Sequence, residues 1–299
     1  MAKKPLITKK KQRWAKQFKT SKAMRGTPLN NNAAIQGKYV KSMTGLVDKV
    51  IKETEREVMA ILKSPAAKGY FATDESISSS VRINMNKLAR FTKKLLGGKS
   101  KAMADGMLKA LDRNSKSNLH KSLKELSGGL SIKTDLGSAD IQDVFNASLD
   151  ANVDLIKTIP QNYIEQVRGA LDRSIQNGGG LESLIPDIEK LLSKESKKLR
   201  NKAKNVALDQ ARKAYAALNA ARMKKIGVKK YEWVHTGGSQ EPREHHLKPF
   251  PAGLNGGIFS LDEPPVIDEK TGERGMPGTA INCKCVMRPI IEFDEGEQQ

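Results

Sequence analysis

A chain of 299 residues is long enough for one large domain or two ordinary ones. With 38% hydrophobic residues and only 5% aromatics, its core must be built from Leu, Ile, Val, Ala and Met, and without a run of about 18 apolar residues no helix is expected to span a membrane. The formal net charge of +20 is unevenly placed: Met1 to Ile226 holds 45 Lys/Arg against 21 Asp/Glu, and Gly227 to the end holds 8 against 12, an asymmetry that bears on partners rather than on fold.

Residues 1–40 read as a basic flexible arm. The first 47 residues carry 12 Lys/Arg and no acid, and the stretch Gly26 to Gly37, with Pro28, has too little apolar content to form a core. One reading is a solvated tail. The other is an electrostatic tether to double-stranded DNA through Lys9, Lys10, Lys11, Arg13, Trp14, Lys16 and Lys19, because lysine and arginine displace the counterions of phosphate backbone. Trp14 and Phe18 lie four apart and would share one face of an induced helix, which favours the tether. The N-terminus lacks the apolar stretch and small-residue cleavage site of a secretory signal.

Residues 41–154 read as a basic helical domain. Leu46, Val50, Val58 and Leu62 carry helical spacing over 42–63. Further helical patterns are expected at about 75–96, 102–126, 139–158, 160–176 and 181–193, divided by Gly97-Gly98, Gly128-Gly129, Pro160, Gly178-Gly179-Gly180 and Pro186. Apart from its charge nothing distinguishes this domain; it contains no clustered Cys/His and no phosphate-binding Gly-Lys-Ser/Thr loop.

The most periodic element spans 196–226. Leu199, Ala203, Val206, Ala207, Ala214, Ala217, Leu218 and Ala221 form one stripe, whose small side chains allow a partner to approach closely. Gly227 stands where a left-handed cap would end the helix. Tyr231 to Val234 then alternates as a half-buried edge strand. An α+β fold follows, predominantly helical with a small C-terminal sheet-and-loop module over 155–291 and an acidic tail at 292–299.

The module holds the chemistry. Cys283 and Cys285 are separated by one residue, so in extended chain their thiols point the same way and a bridge between them is strained. A reduced compartment or a shared metal is the simpler reading. Imidazole plus two thiols suits zinc: His246, Cys283 and Cys285 are the candidate ligands, with His245 or His235 as the fourth. The other reading makes His246 a structural residue, hydrogen-bonded to the Pro277 to Asn282 loop. Arg243 is expected to fix the loop through a carboxylate such as Asp262 or Asp268, and Trp233 and Phe259 to be core. A metal-dependent nuclease using His235, His245 or His246 as base, with Asn282, is the catalytic alternative.

The ordered series is more specific than its pieces. A helix bearing Leu208-Asp209-Gln210, then Gly227-Val228, Tyr231-Glu232-Trp233, Arg243 three residues before His246, Asp262-Glu263-Pro264-Pro265, Pro277-Gly278 and Asn282-Cys283-Lys284-Cys285 resembles the phage Mu F-like minor head protein family over about residues 155–291. The resemblance implies a non-enzymatic minor structural protein of a tailed bacteriophage, acting in head morphogenesis at the portal and procapsid. Its partners would be portal and capsid or scaffold proteins, and its location the virion head after assembly in the host cytoplasm. Trp233, Arg243, His246, Pro277, Gly278 and Asn282 then occupy motif positions. Two departures stand out: Ser239-Gln240-Glu241-Pro242 lacks the acidic residue many members place a few positions before the arginine, and Lys248 to Gly257 reads as an insertion. The alternative is an effector, toxin or nuclease fused to a head-protein-like module.

Overall fold

The computed structural model describes residues 23–64, 76–126, 139–176, 185–237 and 242–292. In chain order it contains β1 (Ala23–Arg25), α1 (Ala33–Leu62), α2 (Ile77–Leu126), α3 (Ala139–Gln176), α4 (Ile185–Lys225), β2 (Lys230–Val234), α5 (Glu244–Leu247), β3 (Ile258–Ser260), β4 (Val266–Asp268), β5 (Glu273–Arg274) and β6 (Val286–Glu292). This is the helix-rich α+β architecture that the patterning implies, with the strands gathered mainly at the C-terminus.

The helices are fewer and longer than the breakers suggested. α2 runs through Gly97-Gly98 and α3 through Pro160. In α2 the buried positions include Val81, Met85, Leu88, Thr92, Leu96, Ser100, Ala104, Leu108, Leu111, Ser115, Leu119 and Ser122, a stripe that recurs every three or four residues and never lapses. The two glycines lie off that stripe, on the exposed side. Each costs about 1 kcal/mol against alanine, a cost that continuous packing outweighs. Pro160 removes one main-chain hydrogen bond, and its neighbours Ile156, Ile159 and Tyr163, all buried, hold the helix through that gap.

The chain divides into two compact units that are not consecutive in sequence. The domain split expected near residue 154 is replaced by one in which α2, α3 and α4 each contribute residues to both units. Among the described residues, one unit takes Ala33–Leu108 and Ala147–Gln210. Its helices bury Met43, Val47, Val50, Ile61, Leu88, Ile156, Leu192 and Leu199. Two buried polar links add specificity: Tyr39 OH donates to Asn152 Oδ1 at 2.9 Å, and Tyr163 OH lies 3.1 Å from Ser196 Oγ.

The other unit takes the described residues of Met1–Asn32, Lys109–Asn146 and Ala211–Gln299. Its sheet has the antiparallel order β1-β6-β2-β3, and β4 pairs separately with β5. β2 is therefore central, not the half-buried edge that its alternation suggested. Tyr231, Glu232 and Trp233 are all buried. Glu232 can lie inside because Arg288 on β6 donates to both its carboxylate oxygens at 3.2 and 3.1 Å, and Arg25 on β1 comes within 3.5 Å. The C-terminal part of α4 packs Ala216, Ala220 and Met223 into the same core as Leu119, Tyr231, Trp233, Ile267 and Met287.

Of the arm expected over 1–40, the described residues from Ala23 on are held in the fold. Ala23 to Arg25 pair with Ile290 to Glu292, Leu29 N–H donates to the Met287 carbonyl at 2.8 Å, and Leu29 is 1% exposed. A polar, glycine-containing stretch is held here by strand addition and one anchoring leucine, a contact between chain ends that local composition does not encode. Helix α1 then begins nine residues before the periodicity at 42 suggested.

Candidate functional site

β2 ends at Val234 beside β6, and the chain on either side of that pair carries the donor atoms. His235 follows β2, His246 sits in the short helix α5, and Cys283 and Cys285 precede β6. His246 is 2% exposed, Cys283 5% and Cys285 3%, whereas His235 is half-buried. One donor atom from each of His246, Cys283 and Cys285 lies within 4.8 Å of the others. His246 Nδ1 is 3.5 Å from Cys283 Sγ, and His235 Nδ1 is 3.5 Å from Cys285 Sγ. Both cysteines are free thiols.

The second atom of the His246 ring is already used. Nε2 lies 2.9 Å from the Ile267 carbonyl in β4, so it carries a hydrogen and leaves Nδ1 facing the sulfur. Trp233 packs edge-on against the ring at 5.1 Å between centroids. His245 points elsewhere: Nε2 is 3.0 Å from the Val266 carbonyl and Nδ1 3.3 Å from Glu269. The structural partner foreseen for His246, the Pro277 to Asn282 loop, is thus replaced by the β4 main chain and Cys283.

The two thiols are unequal. The Cys285 S–H donates to Cys283, and together with His246 and the amides of Cys285 and Gly278 this holds Cys283 well below the ordinary thiol value despite its burial. Cys285 is pushed up, first because its hydrogen serves Cys283 and then by burial. Burial pulls His246 down, but Cys283 and the Ile267 carbonyl outweigh it and leave His246 raised.

The loops are shaped by a few backbone devices. Asn282 adopts φ 58° and Gly278 φ 89°, the left-handed region that Asn and Gly enter most readily. A Cβ on Gly278 would stand 3.4 Å from the Cys285 carbonyl and 3.5 Å from Ala216 Cβ, so the Pro277-Gly278 turn lies close against α4. Arg243, exposed, donates from Nη1 to the Ile281 carbonyl at 3.0 Å. The expectation of a carboxylate partner was wrong: Asp262 pairs with Lys224 at 2.7 Å, and Asp268 Oδ1 accepts from the Lys270 amide. A guanidinium can brace a tight loop through a carbonyl as well as through an acid, and sequence cannot tell which lies nearer.

The stretch Lys248 to Gly257, read from the resemblance as an insertion, forms a loop tied into the fold. Leu254 N–H donates to the His245 carbonyl at 2.8 Å, Leu254 is buried, and Asn255 Oδ1 accepts from the His235 amide at 3.0 Å. At Gly253 a Cβ would meet the carbonyls of His245 and Lys248, both at 2.6 Å. The loop thereby fixes His235 on one side and the α5 histidines on the other, a role that its polar composition did not announce.

Beside Cys285 a cavity of about 10 Å³, also bordered by Leu29, Tyr215, Gly278 and Met287, has room for one water at most. Lys9, Lys10, Lys11, Arg13, Trp14, Lys16 and Lys19, the residues of the expected DNA tether, lie outside the described residues, as do Ser239 to Glu241 and nearly all of the acidic tail. Among the described residues no helix is long and apolar enough to cross a membrane.

Residues 165–288 match the model of the family described as Phage Mu protein F like protein. The match opens within α3 and closes within β6, so it takes in α4, the central strand and all four donor residues. A Haemophilus influenzae protein described as uncharacterized is 27% identical over 292 residues, covering 97% of this chain and 59% of the relative. The chain thus spans less than two thirds of that relative's length. No solved structure matches.

Proposed function

We propose that this chain, whose residues 165–288 form a Mu F-like segment, is a minor structural protein of a tailed bacteriophage head that acts in head morphogenesis by assembly rather than catalysis. The carrying observation is the family match itself, a continuous segment that takes in α4, the strand β2 and the loops bearing His246, Cys283 and Cys285. In this reading the module docks on portal, capsid or scaffold protein in the procapsid, while the basic N-terminal half faces packaged double-stranded DNA. The charge gradient supports that division: residues 1–154 hold 30 Lys/Arg against 14 Asp/Glu, a larger excess than the 22 against 15 of residues 165–288, so phosphate is drawn most strongly to the N-terminal half.

The imidazoles of the module also favour assembly over hydrolysis. His245 and His246 each commit a ring nitrogen to a main-chain carbonyl, and His246 lies beneath the surface, where a general base would not reach substrate. The test is quantitative mass spectrometry of gradient-purified procapsids and mature particles from a producing strain. A few copies per portal ring are expected. Absence from both particle types overturns the reading and turns attention to an effector activity in residues 42–154.

A further inference from the structure

We propose that His235 Nδ1, His246 Nδ1, Cys283 Sγ and Cys285 Sγ form a four-coordinate zinc site that staples the C-terminal loops to the sheet. The inference does not depend on a role in head assembly. Its first ground is distance. Tetrahedral zinc with bonds of about 2.3 Å to sulfur and about 2.1 Å to nitrogen sets its donors about 3.6 Å apart. Both histidine–cysteine pairs already stand at 3.5 Å, and His246 and the two sulfurs form one cluster within 4.8 Å. His235 joins this cluster through Cys285 alone, and its Nδ1 completes the set by turning toward the other two donors.

The outer contacts are those a metal ligand needs. The Ile267 carbonyl takes the Nε2 hydrogen of His246, which orients the ring and leaves Nδ1 facing the sulfur. Cys283 Sγ receives the amides of Gly278 and Cys285, as a thiolate would. The buried Trp233 indole N–H interacts with the Cys285 sulfur yet lacks a hydrogen bond of good geometry, which leaves a donor available to an anionic sulfur. Thr236 Oγ1 donates to the Lys284 carbonyl at 2.8 Å, tying the His235 segment to the Cys-x-Cys turn.

Geometry also chooses between the two fourth ligands that sequence left open. His245 has Nε2 on Val266 and Nδ1 beside Glu269, while His235 is held against Cys285 by the Asn255 side chain. His235 is the half-exposed member of an otherwise buried set, and so provides the path by which an ion enters. Two thiolates and two imidazoles form a set that zinc takes readily. The need for a staple is plain from the segment 235–285, where regular structure among the described residues is limited to α5 and three strands of two or three residues.

The full chain, purified reduced and without chelator, should carry close to one zinc per chain by elemental analysis. Titration of the zinc-free reduced chain with Co²⁺ should saturate at one equivalent, with sulfur-to-cobalt charge transfer and intense tetrahedral d–d bands that zinc abolishes. Cys283→Ser with Cys285→Ser should lose these signals. His235→Ala should weaken cobalt binding at least ~10-fold, and His245→Ala should leave it unchanged. No charge-transfer band from a chain whose two thiols titrate as reduced overturns the site; that measurement stands even where the double variant fails to fold. Unchanged affinity and spectrum in His235→Ala overturn the proposed ligand set.

Discussion

Arg222 and Asp112 show how much at the scale of single residues is decided by contact. They lie on α4 and α2, 110 positions apart, and hydrogen-bond to one another with side chains 0% and 4% exposed. Arg222 Nε and Nη1 have no further partner among the described residues, so Asp112 is the main compensation for a guanidinium taken out of water. Removing one member of such a pair costs far more than the pair contributes. Asp112→Ala is expected to lower stability by about 3–5 kcal/mol, seen as a reduced urea midpoint at unchanged slope. Asp112→Leu combined with Arg222→Met should recover most of that loss. A single-variant loss under about 1 kcal/mol would show that the pair is wetter than the structure indicates. In sequence both residues look like ordinary charges on helix faces. Arg243 is the converse case, a motif position legible from the ordered series, with a carbonyl where a carboxylate was expected.

At the scale of elements, α2 carries the clearest lesson. Gly97-Gly98 reads as a break because two adjacent glycines lose much backbone entropy in a helix. The stripe that carries α2 past them includes Thr92, Ser100, Ser115 and Ser122, polar types that a hydrophobic pattern does not count. Ser100 satisfies its own hydroxyl on the Leu96 carbonyl at 2.7 Å. A Cβ at Gly97 or Gly98 meets nothing within 4 Å, so Gly97→Ala and Gly98→Ala should each stabilise the protein by about 0.5–1 kcal/mol, measured by urea denaturation. A loss of stability in either would mean that the helix needs to bend there. The stripe on α4 was legible in advance: Leu199, Ala203, Ala207, Ala214 and Leu218 are all buried, because alanine and leucine at helical spacing fit only a packed face. The centrality of β2 was not, since Lys230-Tyr231-Glu232-Trp233 alternates as an edge strand does, and only the arginines reaching Glu232 from β6 and, one strand further, β1 make it acceptable inside.

At the scale of the whole molecule, charge and fold are separate matters. The excess of Lys/Arg before Gly227 says nothing about where the helices pack, yet it sets how the chain meets polyanions. Deleting residues 1–22, which removes nine Lys/Arg and no acid while leaving β1 and Leu29 in place, should weaken duplex DNA binding. It should also flatten the dependence of log affinity on log salt by several units, each phosphate contact contributing about 0.9. An unchanged slope in fluorescence anisotropy titrations would assign DNA contact to other lysines or to none. The two units interleave along the chain, so a cut near residue 154 would divide each of them. Functional dissection therefore calls for point variants and terminal deletions of the full chain.

By itself the sequence determined the helix-rich α+β class, the periodic helix before Gly227, the charge asymmetry and the likeness of the C-terminal segment to the family whose model it matches. These are properties of residue type and spacing, which a local reading can recover. Tertiary structure alone decided that the chain's beginning adds a strand beside its end, that α2 survives its glycines, that Arg222 is buried on Asp112, and that His235 rather than His245 faces Cys285. Each of these depends on groups far apart in sequence competing for one neighbour, and burial, which sets the winner, exists only once the chain has folded.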